Sequence, residues 1–217
     1  TTISSAQSYW RALLMTGCLF FIFGFVSWVN SILIPYFRIA CDLKNELQSY
    51  LVAFAFYIAY FVMTIPASMM LNRIGFKRGV KYGLWIMATG AFLFTPAALS
   101  RTYGLFLLAL FTLGTGLAIL QTAANPFVTI IGPIESAARR ISIMGICNII
   151  AWPVSPLFLA WLIGKSLDDM VLSDIIFPFY VLTAIFVGLG LMVWFSPLKE
   201  MAFGEQEEDS DDVAEDE

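Results

Sequence analysis

Six stretches of this chain run for about 20 residues or more with almost no charge in them, and that property narrows the architecture more than any motif does. A helix needs about 20 apolar residues to cross about 30 Å of hydrocarbon. The runs are unbroken, whereas barrel strands would alternate apolar and polar residues over about 10 positions, so they read as helices. The expected spans are 12–37, 47–71, 80–98, 104–131, 140–163 and 176–196, which makes this an all-α membrane protein. A soluble domain with 59% hydrophobic residues would have to hide nearly all of that surface. The first run is too long for a removable signal peptide and lacks a small-residue cleavage site. The chain opens at Thr1 rather than at Met, as a trimmed chain or a piece of a longer one does.

Orientation follows from the short loops. Arg11, Arg73, Lys77, Arg78, Lys81, Arg139, Arg140 and Lys199 fall on one side; Arg38, Lys44, Arg101 and Lys165 fall on the other. The excess places both ends in the cytoplasm. The expected organisation is an N-terminal cytoplasmic segment (1–11), a six-helix bundle (12–196) and an acidic cytoplasmic linker or tail (197–217). That tail distorts the net charge of −4, because all nine carboxylates after Met201 lie in it. The remainder is basic in the ordinary cytoplasmic manner, which gives no support to nucleic-acid binding.

Several chemistries are excluded early. The chain has no histidine, so histidine acid/base or triad catalysis is impossible, and its three cysteines show neither disulfide nor zinc spacing. No nucleophile with a base, carboxylate pair or metal-ligand set falls within the spans, so an enzyme, a resident metal and a cofactor are all unexpected.

Two short motifs suggest a duplication. "NSILIP" (30–35) and "QTAANP" (121–126) share an amide, a hydroxyl, three residues and a proline at matching places in the first and fourth spans. The first span would run outward and the fourth inward, as in two inverted three-helix repeats. Pro35 and Pro126 each lack an N–H, so the carbonyls of Ser31 and Thr122 lose their helical donor. Asn125 is placed to support the kink at Pro126.

At 100° per residue, Gly114, Ala118, Gln121 and Asn125 share one face of the fourth span. Gly24, Ser27, Asn30 and Ser31 share one on the first, and Met144, Gly145, Asn148, Trp152 and Ser155 share one on the fifth. Such faces serve either as helix contacts bridged by amides or as the lining of a polar cavity. Neutral amides match sugar hydroxyls, and Trp28, Tyr57, Tyr60 and Trp152 offer stacking surfaces for a ring face. An anion site would need a buried Arg or Lys and a cation site a carboxylate, and none lies in the middle of a span.

"LQTAANPFVTIIGPIESAARRISIMGICN", "NSILIP" and "AFAFYIAYFVMTIPAS" together closely resemble the amino-terminal half of the fucose permease-like branch of the major facilitator superfamily, which includes glucose/galactose transporters. The similarity runs from about residue 15 to 165. "SMMLNRIGFKRG" is similar to that superfamily's loop pattern "GxxxDRxGRRxG", with Asn72, Arg73, Gly75, Lys77 and Gly79 at its marked positions. Ser68, Asn72 and Phe76 depart from it. Glu135, Arg139 and Arg140 form a second cytoplasmic anchor, with Glu135 and Arg139 one turn apart.

The resemblance implies half of a major facilitator fold. The whole would be a sugar/cation symporter working by alternating access on a monosaccharide such as fucose, glucose or galactose, in a bacterial inner membrane. Its partners would be the sugar, the lipid bilayer and a second six-helix half. Asn30, Ser31, Gln121 and Asn148 match positions that line the family's cavity; Trp28, Tyr57 and Trp152 join them from the stacking argument. Ser31 stands where fucose permeases have an aspartate and Gln121 where they have a glutamate, so both carboxylates associated with proton coupling are missing. A six-helix channel or a non-transporting scaffold is the competing architecture.

Overall fold

The computed structural model describes residues 6–40, 46–164 and 172–195. Each expected span is a helix: α1 (Ala6–Ala40), α2 (Glu46–Ile74), α3 (Phe76–Ser100), α4 (Tyr103–Ile130), α5 (Ala137–Ile163) and α6 (Leu172–Phe195). A single 3-10 turn, Ile134–Ser136, joins α4 to α5. Helix α1 starts at Ala6, so helix already occupies much of the segment expected as an N-terminal extension. Cys41, Lys44, Lys165 and the acidic tail lie outside the described residues. All six helices are long and apolar enough to cross a membrane, and the protein is an integral membrane protein.

Gly75 alone separates α2 from α3, at φ 79°, a conformation that other residues rarely adopt. Its N–H donates to the Leu71 carbonyl at 2.8 Å, and Gly79 donates back to the Gly75 carbonyl at 3.1 Å. A Cβ on Gly79 would collide with the Leu71 side chain. Gly75 is thus required by the turn itself, while a Cβ at Gly79 would need the Leu71 side chain to move. Phe76, where the pattern has an arginine, is buried and stacks on Phe127 near the end of α4, with ring centroids 3.9 Å apart.

Helix α4 is central and packs on both α3 and α2, while α6 lies on α3 and α1 lies on α5. The second helix of each triplet therefore rests on the first helix of the other, as two inverted repeats require. The repeat extends to atomic contacts. A Cβ on Gly24 of α1 would fall within 3.0 Å of the Asn148 backbone oxygen and against Ala151 of α5. A Cβ on Gly114 of α4 would sit 2.6 Å from the Phe56 backbone oxygen and 3.2 Å from the Cβ of Ala59 on α2. Each seam is a glycine against a carbonyl and an alanine three residues further on.

The helices continue through Pro66, Pro96, Pro126, Pro153, Pro156 and Pro178. Helix α1 likewise spans Pro35, whose side chain is outside the described residues.

A seam glycine and a glycine outside the seams should respond unequally to the same substitution. Gly24→Ala must push α1 away from a backbone carbonyl that cannot yield, and should destabilise the bundle by about 1–3 kcal/mol. Gly145→Ala on α5, where an added Cβ meets nothing within 4 Å, should be neutral or stabilising by up to about 1 kcal/mol. Thermal unfolding in detergent compares them, and equal behaviour would remove the close-approach explanation.

Candidate functional site

Gln121 comes from the fourth helix and is half-buried. Its Oε1 accepts a hydrogen bond from the hydroxyl of Tyr60 on α2. Tyr60 follows Phe56 by one turn and Gln121 follows Gly114 by two, so the bond lies further along the same glycine seam. The stripe Gly114–Ala118–Gln121 therefore meets α2 over part of its length rather than opening wholly into a cavity, and Ala118 is 1% exposed. Tyr60, expected as a stacking surface, contributes its hydroxyl to this pair.

Asn148 sits at the α1–α5 seam. Its Nδ2 donates to the Phe20 carbonyl at 3.1 Å, so one of its donors serves as a bridge between helices. Asn148 stays half-buried, with its second donor and its oxygen not used in that bridge. One turn along α5, Trp152 stacks on Trp28 of α1 with centroids 5.2 Å apart and planes 24° apart. Both indoles are exposed, Trp152 to 56%, as is Tyr57 one turn before Tyr60. Ser31 donates its hydroxyl to the Ser27 carbonyl at 3.0 Å within its own helix, and Thr122 similarly caps Ala118 at 2.7 Å. The side chain of Asn30 lies outside the described residues.

Two expectations are corrected. Asn125 is exposed and makes no hydrogen bond among the described residues, so nothing ties it to the bend at Pro126. Glu135 and Arg139 are both exposed and no ion pair joins them. Glu135 lies in the 3-10 turn, out of α-helical phase with Arg139. Asn72 and Arg73 are exposed at the end of α2, and Lys77 is half-buried at the start of α3.

The second anchor works through Arg140, which is only 2% exposed. Helix α4 ends at Ile130 with its last carbonyls lacking helical donors. The Arg140 guanidinium supplies them: Nε to Val128 O (2.9 Å), Nη2 to Thr129 O (2.9 Å) and Gly132 O (3.1 Å), and Nη1 to Pro133 O (2.9 Å) and the Ser136 hydroxyl. Every N–H of the group is used. The negative end of the α4 dipole helps a buried cation that has no carboxylate beside it. Sequence reading placed Arg140 in this anchor but not as the donor to the end of α4. The signal available was a helix broken by "GP" with two arginines a few residues later.

The middle of the site is neutral. Gln121, Asn148 and the exposed aromatic rings lie on helices that contact one another, and no Asp, Glu, Lys or Arg occupies the centre of a described span.

A family model described as Major Facilitator Superfamily matches residues 16–212. The chain is 41% identical over 196 residues to a glucose/galactose transporter of Brucella abortus biovar 1 (strain 9-941), covering 88% of this chain and 47% of that protein. It is 41% identical over 138 residues to an L-fucose-proton symporter of Escherichia coli (strain K12), covering 64% of this chain and 31% of the relative. A crystal structure of a major facilitator superfamily transporter, FucP, in the outward conformation matches with a TM-score of 0.76 at 31% identity, over 89% of this chain and 51% of that one. The chain thus spans about half the length, or less, of these relatives.

The Arg140 cap yields a test. Arg140→Gln leaves one buried and several part-buried carbonyls without their donor and should cost about 1–3 kcal/mol of stability. Arg140→Lys should recover little, since an ammonium cannot reproduce the five-donor fork. Thermal unfolding, with protease cleavage in 131–136 as a local readout, checks both. Full rescue by lysine would mean that charge alone matters there.

Proposed function

This chain belongs to the major facilitator superfamily, and from that membership we propose that it forms the amino-terminal six-helix half of a monosaccharide transporter working by alternating access. The observation that carries the reading is the neutral polar and aromatic surface of Gln121, Asn148, Trp28, Trp152 and Tyr57, where amides pair with hydroxyls and indoles cover an apolar ring face. Names among the relatives, a glucose/galactose transporter and an L-fucose-proton symporter, support a hexose or a deoxyhexose. Asn30 and Ser31 belong to the same proposed site by position.

The proposed partner is a second six-helix half. Helices α2 and α5 are the least covered spans, 28% and 17% buried against 61% for α4, and they bear the exposed Tyr57 and Trp152. That exposed surface is mostly apolar, as with Phe54, Phe61 and Ile65 on α2 and Ile146, Ile149 and Leu157 on α5, and the half-buried amides Gln121 and Asn148 would line a cavity shared with another body. We place the protein in a bacterial inner membrane with both termini, the Lys77 loop and the Glu135 loop in the cytoplasm. The acidic 197–217 segment would be the linker. An impermeant reagent applied outside intact cells should fail to label a cysteine introduced near Lys77, and labelling would reverse the orientation.

Coupling is where this half is distinctive. Ser31 and Gln121 hydrogen-bond but do not titrate near neutral pH, so the proposed half supplies sugar ligands and no proton site. Any cation dependence would then come from the second half, from sodium held by neutral oxygens such as the opened Thr122 carbonyl, or not arise at all. In the intact transporter, Gln121→Ala should weaken sugar binding by about 1–3 kcal/mol and leave the pH profile unchanged. Gln121→Glu should add a pH dependence, because it introduces a group that titrates. Sugar uptake and counterflow across pH test this. Flux that neither saturates nor shows counterflow would favour a channel, and a wild-type pH dependence abolished by Gln121→Ala with binding intact would overturn the assignment.

A further inference from the structure

Among the described residues, Tyr60 is the one aromatic residue near the proposed site whose polar atom is committed to another residue of the site. Its hydroxyl donates to Gln121 Oε1, and both residues are half-buried. A carboxamide has an oxygen that accepts and a nitrogen that donates, and rotation by half a turn exchanges them. The Tyr60 hydroxyl could also accept from the nitrogen, but its own proton would then have no acceptor among the described residues, so it favours the oxygen. The Gln121 Nε2 group has no hydrogen-bond partner among the described residues, so its two N–H donors are what the side chain still offers. The two backbones approach closely one turn before it, where a Cβ on Gly114 would lie 2.6 Å from the Phe56 carbonyl oxygen and 3.2 Å from the Ala59 Cβ.

We propose that Tyr60 is a positioning and specificity residue, which turns Gln121 so that it presents its Nε2 donors rather than its oxygen to the transported solute. The proposal rests on the reading of Gln121 as a sugar ligand. It goes beyond that reading by specifying which half of the hydrogen-bonding inventory the sugar must supply: an acceptor oxygen at the contacted position, with the hydroxyl's proton directed elsewhere.

Monodeoxy and monofluoro analogues of glucose and galactose separate donor from acceptor roles, because carbon-bound fluorine accepts weakly and never donates. Competition for uptake by the intact transporter in membrane vesicles is the assay. In the wild type, at the hydroxyl that Gln121 contacts, the deoxy analogue should compete about tenfold less well, and the fluoro analogue should stay within about threefold of the parent sugar. In Tyr60→Phe the freed carboxamide turns its oxygen outward for part of the time, so the fluoro analogue should fall toward the deoxy one. The ratio of parent to fluoro affinity, rather than affinity alone, is the diagnostic readout. A packing role would weaken all analogues by one common factor, and that result would overturn the proposal. So would a wild-type transporter that rejects the fluoro analogue as strongly as the deoxy one, since Gln121 would then be presenting its oxygen. Gln121→Ala separates the two levels of inference. If it leaves affinity for every analogue unaltered, the sugar-ligand reading fails and the orientation fails with it. If it weakens the parent sugar while Tyr60→Phe leaves the ratio unchanged, only the orientation fails.

Discussion

In hydrocarbon a helix gains nothing by hiding apolar surface from water, so association rests on how closely the backbones can approach. Glycine sets that distance throughout this bundle. Gly83 and Gly116 face each other between α3 and α4, and Gly90 lies against the Leu113 backbone, where any Cβ would be inside ordinary contact. Gly24 and Gly114 do the same for the α1–α5 and α2–α4 seams. Packing and site chemistry therefore share one device. Asn148 reaches the Phe20 carbonyl because Gly24 lets α5 come near, and Tyr60 reaches Gln121 along the seam that Gly114 opens.

Much of the fold was legible because lipid imposes a length on each span. The helix ends were less so: α1 and α2 run past the apolar stretches, since intrahelical hydrogen bonds persist once the chain leaves hydrocarbon. The duplication was visible in "NSILIP" and "QTAANP", and it reappears in the exchanged contacts of α2 and α5. The direction of each face was not legible. A helical projection groups Gly114, Ala118 and Gln121, but it cannot say that α2 covers part of that stripe. Phe76 looked like a flaw in the loop motif, because its partner Phe127 lies far along the chain and no local periodicity connects them. Arg140 was legible as part of the cytoplasmic anchor, but not as the group that caps α4. The shortage of donors at the end of α4 is predictable in general. Which of two adjacent arginines fills it depends on the phase of the 3-10 turn at Ile134–Ser136.

The Arg140 cap and the Phe76–Phe127 stack together make the cytoplasmic end of α4 a fixed point. A buried guanidinium is costly without compensation, and here four carbonyls, a hydroxyl and a helix terminus offset that cost without any carboxylate. The arrangement does not depend on a titrating partner, so it holds across the pH range in which a carboxylate pair would weaken. Gln121 lies two turns further into the membrane on the same helix. Its position is therefore set from both directions, by the cap at one end and by the α2 seam alongside.

The two seams share a backbone plan and differ in their side chains. Phe56 and Ala59 on α2 correspond to Asn148 and Ala151 on α5, so by the same spacing Tyr60 corresponds to Trp152. At one seam the side chain that follows is a phenol donating to an amide; at the other it is an indole stacked on Trp28. Close approach of the backbones constrains only the glycine, the carbonyl and the alanine, which leaves the next position free to diverge. The outcome is a polar clamp on one side of the bundle and an aromatic platform on the other. A monosaccharide has the same asymmetry, with hydroxyls around its edge and C–H bonds on its ring face. Under the sugar reading, an internally repeated scaffold distinguishes the two aspects of its ligand by varying one side chain per repeat while the packing that locates both stays constant.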